Sequence, residues 1–328
     1  MKKHLIELAL CLCCFITFVG CAANSGASEE VGANKGAGTA SAAPKIVVGT
    51  LATEDILPCW VAQEEDLFAN ENLDAEIAVF QSASELIAAV SSGSVDFAMT
   101  DPMVTASLYA SGADVQIRWV TLGADASQGR FGIMTADPDI KSLTDLAGVP
   151  VGVGSNTILE YVMDTLFERA GVAADQVKTE ELQKLPVRYQ AMAAGTVKAA
   201  ALPASLLALG EASGFTVVAD DTTGGNISQS VMISCKNAIS TDTVNAFARA
   251  WDAAVARINA NPDSYRALLA QKASLPESIA QTYAVSSYPA VELAEQHMID
   301  AVLTWMANKG YLATSISYDA ATGCFQGR

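Results

Sequence analysis

The phrase "SGSVDFAMTDP" at residues 92–102 returns in altered form as "AGTVKAAALPA" at residues 194–204. Gly93 answers to Gly195 and Val95 to Val197, and the correspondence continues upstream. Leu67-Phe68 recurs as Leu166-Phe167, and Leu73 answers to Val172, with the offset staying near 100 residues. Four elements repeated in the same order require two lobes of one design. No other feature of the chain constrains its fold as strongly. One position changes sign between the copies, where Asp96 becomes Lys198.

The first copy opens with a buried-type strand at residues 46–49, then a loop and a helix over residues 58–70. That helix has Trp60, Val61, Glu64 and Leu67 at helical spacing. Residues 73–80 alternate like a second strand, Ser82 or Ser84 caps a second helix, and "VDFAMT" is a third strand. The second copy, from "VPVGVGSNTILEYVMDTLFERAGV", also runs strand, Gly-containing turn, helix. Such alternation calls for mostly parallel strands covered on both faces. Between the copies, strands at residues 117–121 and 131–135 flank a polar Gly-rich stretch, and Gly224-Gly225 later separates two more strands. Two Gly-marked crossovers between two α/β lobes describe a hinge. Helices at residues 241–261, from about 262 and at 291–308 cover the first lobe. The expected fold is therefore two-lobed α/β, each lobe a mixed, mostly parallel sheet flanked by helices, joined by a two-segment hinge. Lobe 1 is assigned residues 44–125 and 229–328, and lobe 2 residues 126–228.

The N-terminus, "MKKHLIELALCLCCFITFVGCAAN", has a Lys2-Lys3 n-region and an apolar run too short for a comfortable membrane span. Phe18, Val19 and Gly20 before Cys21 resemble the lipobox of bacterial lipoproteins, whose cysteine is acylated after cleavage. Residues 1–20 are read as the signal peptide and Cys21 as the lipidated residue, an ordinary secretory cut being the alternative. Residues 21–43, rich in Gly, Ala and Ser, form a flexible tether, because they cannot bury enough surface to offset their ordering entropy. The chain is expected to be exported and held on the outer face of a cell membrane by its lipid alone. No later run reaches transmembrane length.

Residues 44–328 are enough for two lobes with substantial cores, and 51% hydrophobic residues exclude a disordered chain. The formal charge is −17, and −18 once the leader's two Lys and one Glu are gone, which argues against nucleic acid as a partner. Beyond Cys21 only Cys59, Cys235 and Cys324 remain, allowing at most one disulfide, which the sequence does not assign. His297 is the one histidine after the leader, which excludes a His-rich metal site and speaks against a Ser-His-Asp triad.

Four phrases carry a resemblance: "VGTLATEDILPCWVAQEEDLFANENLDAEI", "SASELIAAVSSGSVDFAMTDP", "SLTDLAGVPVGVGSNTILEYVMDTLFERAGV" and "AMAAGTVKAAALP". With the lipobox-like leader and the linker, they resemble the substrate-binding proteins of ABC importers, in the nitrate, sulfonate, taurine and thiamine-pyrimidine group. The resemblance implies a type II periplasmic-binding-protein fold, a ligand trapped between lobes and delivery to a membrane permease. It implies no enzyme activity and no cofactor, and monomer is the default. Lys198-Ala199 departs from the Asp-Ala pair that the second lobe of this family usually carries.

In open α/β sheets, ligands lie beyond the C-terminal strand ends, where helix N-termini offer free N–H groups. This points to Thr53, Glu54, Asp55 and Trp60 around the first loop, then Ser82, then Thr100 and Asp101. In the second lobe it points to Asn156, Thr157, Glu160 and Tyr161. Asp101-Pro102 equally suits a plain helix cap, Glu54 and Asp55 solvated loop charge, Trp60 a core position, and Glu160 the helix dipole. Arg130 reads as a hinge salt bridge, and Trp60 and Trp119 are expected near the cleft or hinge.

These loops carry Glu54, Asp55, Asp101 and Glu160 and no Arg or Lys. That balance favours a neutral or cationic planar nitrogen-bearing ligand, such as a pyrimidine thiamine precursor, over a sulfonate or taurine. A thiamine-pyrimidine synthase-like enzyme, which relies on His and iron, and a ligand-sensing lobe are the rivals.

Overall fold

The computed structural model describes residues 43–235, 239–273, 275 and 277–328. The expected signal peptide, the expected lipidation site at Cys21 and nearly all of the expected tether lie outside the described residues. Residues 42–328 form one compact unit.

Lobe 1 begins with β1 (Lys45–Leu51), α1 (Leu57–Glu64), α2 (Leu67–Asn70), β2 (Asp74–Phe80), α3 (Ala83–Ser91), β3 (Phe97–Thr100), α4 (Pro102–Ala110) and β4 (Gln116–Leu122). The chain then crosses to lobe 2, with β5 (Phe131–Thr135), β6 (Pro150–Val153), α5 (Ile158–Arg169), β7 (Lys178–Glu181), α6 (Leu185–Ala193), β8 (Ala199–Pro203), α7 (Ala204–Ala212) and β9 (Thr216–Asp220). It returns through β10 (Ser230–Ser234) to α8 (Thr241–Ala260), α9 (Arg266–Lys272), α10 (Glu277–Ala280), α11 (Gln296–Asn308) and the hairpin β11 (Ser317–Asp319)–β12 (Cys324–Gln326).

The two five-stranded sheets have matching orders, β2-β1-β3-β10-β4 and β7-β6-β8-β5-β9. In each, the first three strands are parallel and the fourth runs antiparallel to both its neighbours. That antiparallel strand arrives directly from the other lobe, β5 after β4 and β10 after β9. The sheets are therefore mixed because of the two hinge crossings, at residues 123–130 and 221–229.

The repeated phrase has a local cause. Helices α3 and α6 are each nine residues long and end in the same Schellman motif. Gly93 (φ 70°) and Gly195 (φ 74°) supply the left-handed residue. Gly93 N donates to Val90 O and Ser94 N to Ala89 O, while Gly195 N donates to Met192 O and Thr196 N to Ala191 O. The sign change is settled outside this motif. Asp96 accepts from Val47 N at 2.8 Å, pinning β1, whereas Lys198 pairs with Asp137 at 2.7 Å on the surface.

In β3 the pleat sends Phe97 and Met99 to one core and Ala98 to the other. The Phe97 side packs under α1, α2, α8 and α9, with Trp60, Trp119, Phe247 and Trp251 all at most 1% exposed. The expected helix over residues 58–70 is broken at Asp66, which adopts φ 56° between α1 and α2. The helix expected from residue 291 begins at Gln296.

Candidate functional site

A cavity of about 70 Å³ lies between the sheets. Lobe 1 lines it with Thr53, Asp55, Thr100, Asp101 and Ser230, and lobe 2 with Phe131, Thr157, Ile158, Gln183 and Arg188. Asp101 and Thr157 sit where a strand gives way to a helix, directly before α4 and α5.

Asp101 is the N-cap of α4, with Pro102 at the first helical position. Its Oδ1 accepts from Val104 N at 2.8 Å, and its Oδ2 accepts from Ile158 N at 3.0 Å across the cleft. One carboxylate thus serves the N-termini of two facing helices. Burial pushes its pKa up to about 6, the amide bonds pull it down, and the nearby Asp55 charge adds to the rise. Asp55, in a single 3₁₀ turn at Glu54–Ile56, accepts from the Ser230 hydroxyl, and burial raises its pKa as well. Thr157 turns its hydroxyl back onto Gly154 O at 2.7 Å.

Other expected contacts lie elsewhere. Glu54 faces away from this cavity and lines a second one of about 660 Å³ on the Arg130 side. There it accepts from Tyr283 OH at 2.5 Å, its backbone carbonyl accepts from Tyr288 OH at 2.8 Å, and burial pushes its pKa up to about 8. Trp60 is a core residue of α1, not a stacking wall, and Trp119 is likewise buried, 5.1 Å from Phe247 ring to ring. Ser82 caps α3 by accepting from Glu85 N at 3.2 Å. Arg130 bridges Asp220 and Glu211 beside the hinge, as expected.

Asn156, Glu160 and Tyr161 hold the lobes together. Asn156 takes φ 57° and donates through Nδ2 to Ser107 Oγ of lobe 1 at 2.7 Å. Glu160, 2% exposed, accepts from Asn156 N at 2.6 Å and from two groups at the end of α11, Lys309 Nζ and Tyr311 OH, each at 2.8 Å. Tyr161 stacks edge-on against Trp305, whose Nε1 donates to Asp164. An outer ion pair, Lys184–Glu85 at 2.8 Å, joins α6 to α3. The lobes are closed on each other through these contacts.

Arg188 is the cleft residue that the loop-by-loop reading missed, and it corrects the expectation of a site without cations. It lies on α6, is 2% exposed, and donates to Leu182 O, Ala201 O and Gln183 O at 2.8, 3.0 and 3.3 Å. Burial lowers its pKa to about 10, against the charge of Glu181. A signal existed in the repeat. The offset of 102 that joins Gly93 to Gly195 sets Arg188 opposite Leu86, which is fully buried in α3. Among the described residues no group of three or more His, Cys, Asp or Glu is placed to hold a metal, and Cys59, Cys235 and Cys324 are free.

Two hinged α/β lobes closing on a cavity that each of them lines define a periplasmic-binding-protein fold. Residues 53–265 match the family described as NMT1/THI5 like, and the chain belongs to that family. No curated protein sequence matches it. The alkanesulfonate-binding protein SsuA from Xanthomonas axonopodis pv. citri, bound to MOPS, superposes with a TM-score of 0.70 at 16% identity, covering 83% of this chain and 96% of that one. The aliphatic sulphonate binding protein SsuA from Escherichia coli gives 0.68 at 15% identity, with 87% and 92% covered. The nitrate-binding protein NrtA from Synechocystis PCC 6803 gives 0.68 at 12% identity, with 82% of each chain covered. These three neighbours are named as sulfonate-binding and nitrate-binding proteins. No helix of the described residues is long and apolar enough to cross a membrane.

Proposed function

We propose that this chain is an extracytoplasmic solute-binding protein that closes on a small nitrogen-bearing molecule and hands it to an ABC permease. Asp101 carries this reading. In an anion-binding cleft, the N-terminus of α5 would meet the ligand's negative charge. Here Ile158 N is already taken by the protein's own carboxylate, with Asp55 beside it in the same cavity. Two buried acids favour a ligand that donates hydrogen bonds or carries positive charge. A planar pyrimidine with amino groups fits that demand and the small cavity. Binding between lobes, with the tether and a lipid on Cys21, describes capture near a membrane and release to a permease.

A sulfonate is the second reading, favoured by Arg188 in the cavity wall. Native mass spectrometry of gently purified protein separates the two. A retained basic or amino-bearing heterocycle supports the first reading, and a retained sulfonate supports the second.

A further inference from the structure

Helices α3 and α6 occupy equivalent places in the two lobes, with equal length and the same C-terminal motif. At their fourth position lobe 1 has Leu86, a fully buried core residue, and lobe 2 has Arg188. A charge has thus replaced a leucine at a site the repeat builds as core. An uncompensated buried charge is costly to a fold, so such a residue calls for a reason.

Its protein partners do not neutralise it. All three hydrogen bonds of the guanidinium go to backbone carbonyls of Leu182, Gln183 and Ala201. A guanidinium has five N–H donors, so each terminal nitrogen retains one N–H beyond these bonds. Glu181, whose charge reaches Arg188, is exposed and is itself bonded to Ser155 N and the Gln183 amide. The neighbouring wall is cut back to admit the fork. A Cβ at residue 154 would stand 2.7 Å from Arg188 Nη2, and Gly154 leaves that space free. The three carbonyls therefore fix a planar fork in the cavity wall, and fixed forks match carboxylate, sulfonate and phosphate groups.

From this geometry we infer that Arg188 is a specificity-determining residue that pairs an anionic or strongly accepting group on the ligand, so that the cleft takes a dipolar molecule. The donor end meets Asp55 and Asp101 in lobe 1, and the acceptor end meets Arg188 in lobe 2. A ligand with both ends ties one lobe to the other and thereby favours closure. The inference deepens the proposed binding function and rests on it.

Calorimetric titration of the full chain with two matched pairs tests it. The pairs are 4-aminopyrimidine against 4-aminopyrimidine-5-carboxylate, and ethylamine against taurine. In at least one pair the two-ended member is expected to bind about tenfold more tightly or better, the worth of one charge-assisted pairing. In Arg188→Gln that gap closes to within about threefold, while Arg188→Lys keeps part of it, because it retains charge without the fork. A gap in the taurine pair alone upholds the role of Arg188 and removes the pyrimidine reading. No gap in either pair overturns the inference, and it does so without any variant. Binding of a one-ended member would then leave the binding function standing. A full gap that survives Arg188→Gln overturns it too, since a purely structural arginine would leave discrimination unmoved.

Discussion

Asp101 accepts a hydrogen bond from the backbone amide of Ile158 at 3.0 Å, so the cap of one helix in lobe 1 also caps the facing helix in lobe 2. Closure is thereby coupled to the charge of a buried carboxyl whose pKa lies at about 6. For a donor that stays cationic throughout, such as ethylammonium, affinity is expected to fall about tenfold between pH 7 and pH 5 as Asp101 takes up its proton. Titration calorimetry at the two pH values checks this. The fall should be largely absent in Asp101→Asn, which carries no charge to lose.

Glu54 predicts an unusual pH dependence of stability. Its pKa in the fold, about 8, lies above the ordinary value of 4.5, so the folded state holds a proton that the unfolded state has released between those limits. Stability therefore declines as pH rises through that window, by up to about 1.4 kcal/mol per unit for this one group. Thermal unfolding should show a higher midpoint at pH 6 than at pH 8. Glu54→Gln, neutral at both, should flatten the difference, and an unchanged slope in that variant would sink the assignment.

Lys309 links lobe 1 to the buried Glu160 and to Asp164 of lobe 2, at 2.8 and 2.9 Å. Lys309→Met leaves Glu160 with Asn156 N and Tyr311 OH but without a cation. Because Lys309 is about one-third exposed, the loss is put at roughly 1–2 kcal/mol of closure rather than the larger value for a fully buried pair. Affinity for any cleft ligand should fall about 5–30-fold, since closure and binding are one equilibrium. Small-angle scattering should show a larger radius of gyration for the unliganded variant.

Fluorescence assigns the reporter of closure. Trp60, Trp119 and Trp251 are each at most 1% exposed within the lobe 1 core and have no part in the cleft. Trp305 instead donates to Asp164 at 2.9 Å and stacks on Tyr161, both in lobe 2. A ligand-dependent emission change is expected in the parent protein and should vanish in Trp305→Phe. Persistence of the full change in that variant would contradict this assignment.

Much of the architecture was legible because the repeat is local. Each copy carries its own strand pattern, capping residue and left-handed glycine, and Gly93 and Gly195 end their helices through contacts within six residues. The place of Asp101 was legible for the same reason, since an Asp-Pro helix cap directly after a strand is written in sequence. What depends on distant partners was hidden. Glu160 looked like a ligand contact because α5 begins there, but Lys309 and Tyr311 arrive from just beyond a helix about 150 residues later. Trp60 looked like a cleft wall from its place after the first loop, but the side of α1 it occupies is covered by α8. Arg188 escaped notice because it lies within a helix rather than in a loop. Only its alignment with Leu86 exposes it.

The most direct test of an acid-lined cleft is titration calorimetry of the full chain with 4-aminopyrimidine and, separately, with ethanesulfonate. The account predicts one site for the aminopyrimidine at about 10 μM or tighter, roughly −7 kcal/mol, and no measurable heat from ethanesulfonate under the same conditions. Ethanesulfonate binding in that range with no response to the aminopyrimidine would contradict it.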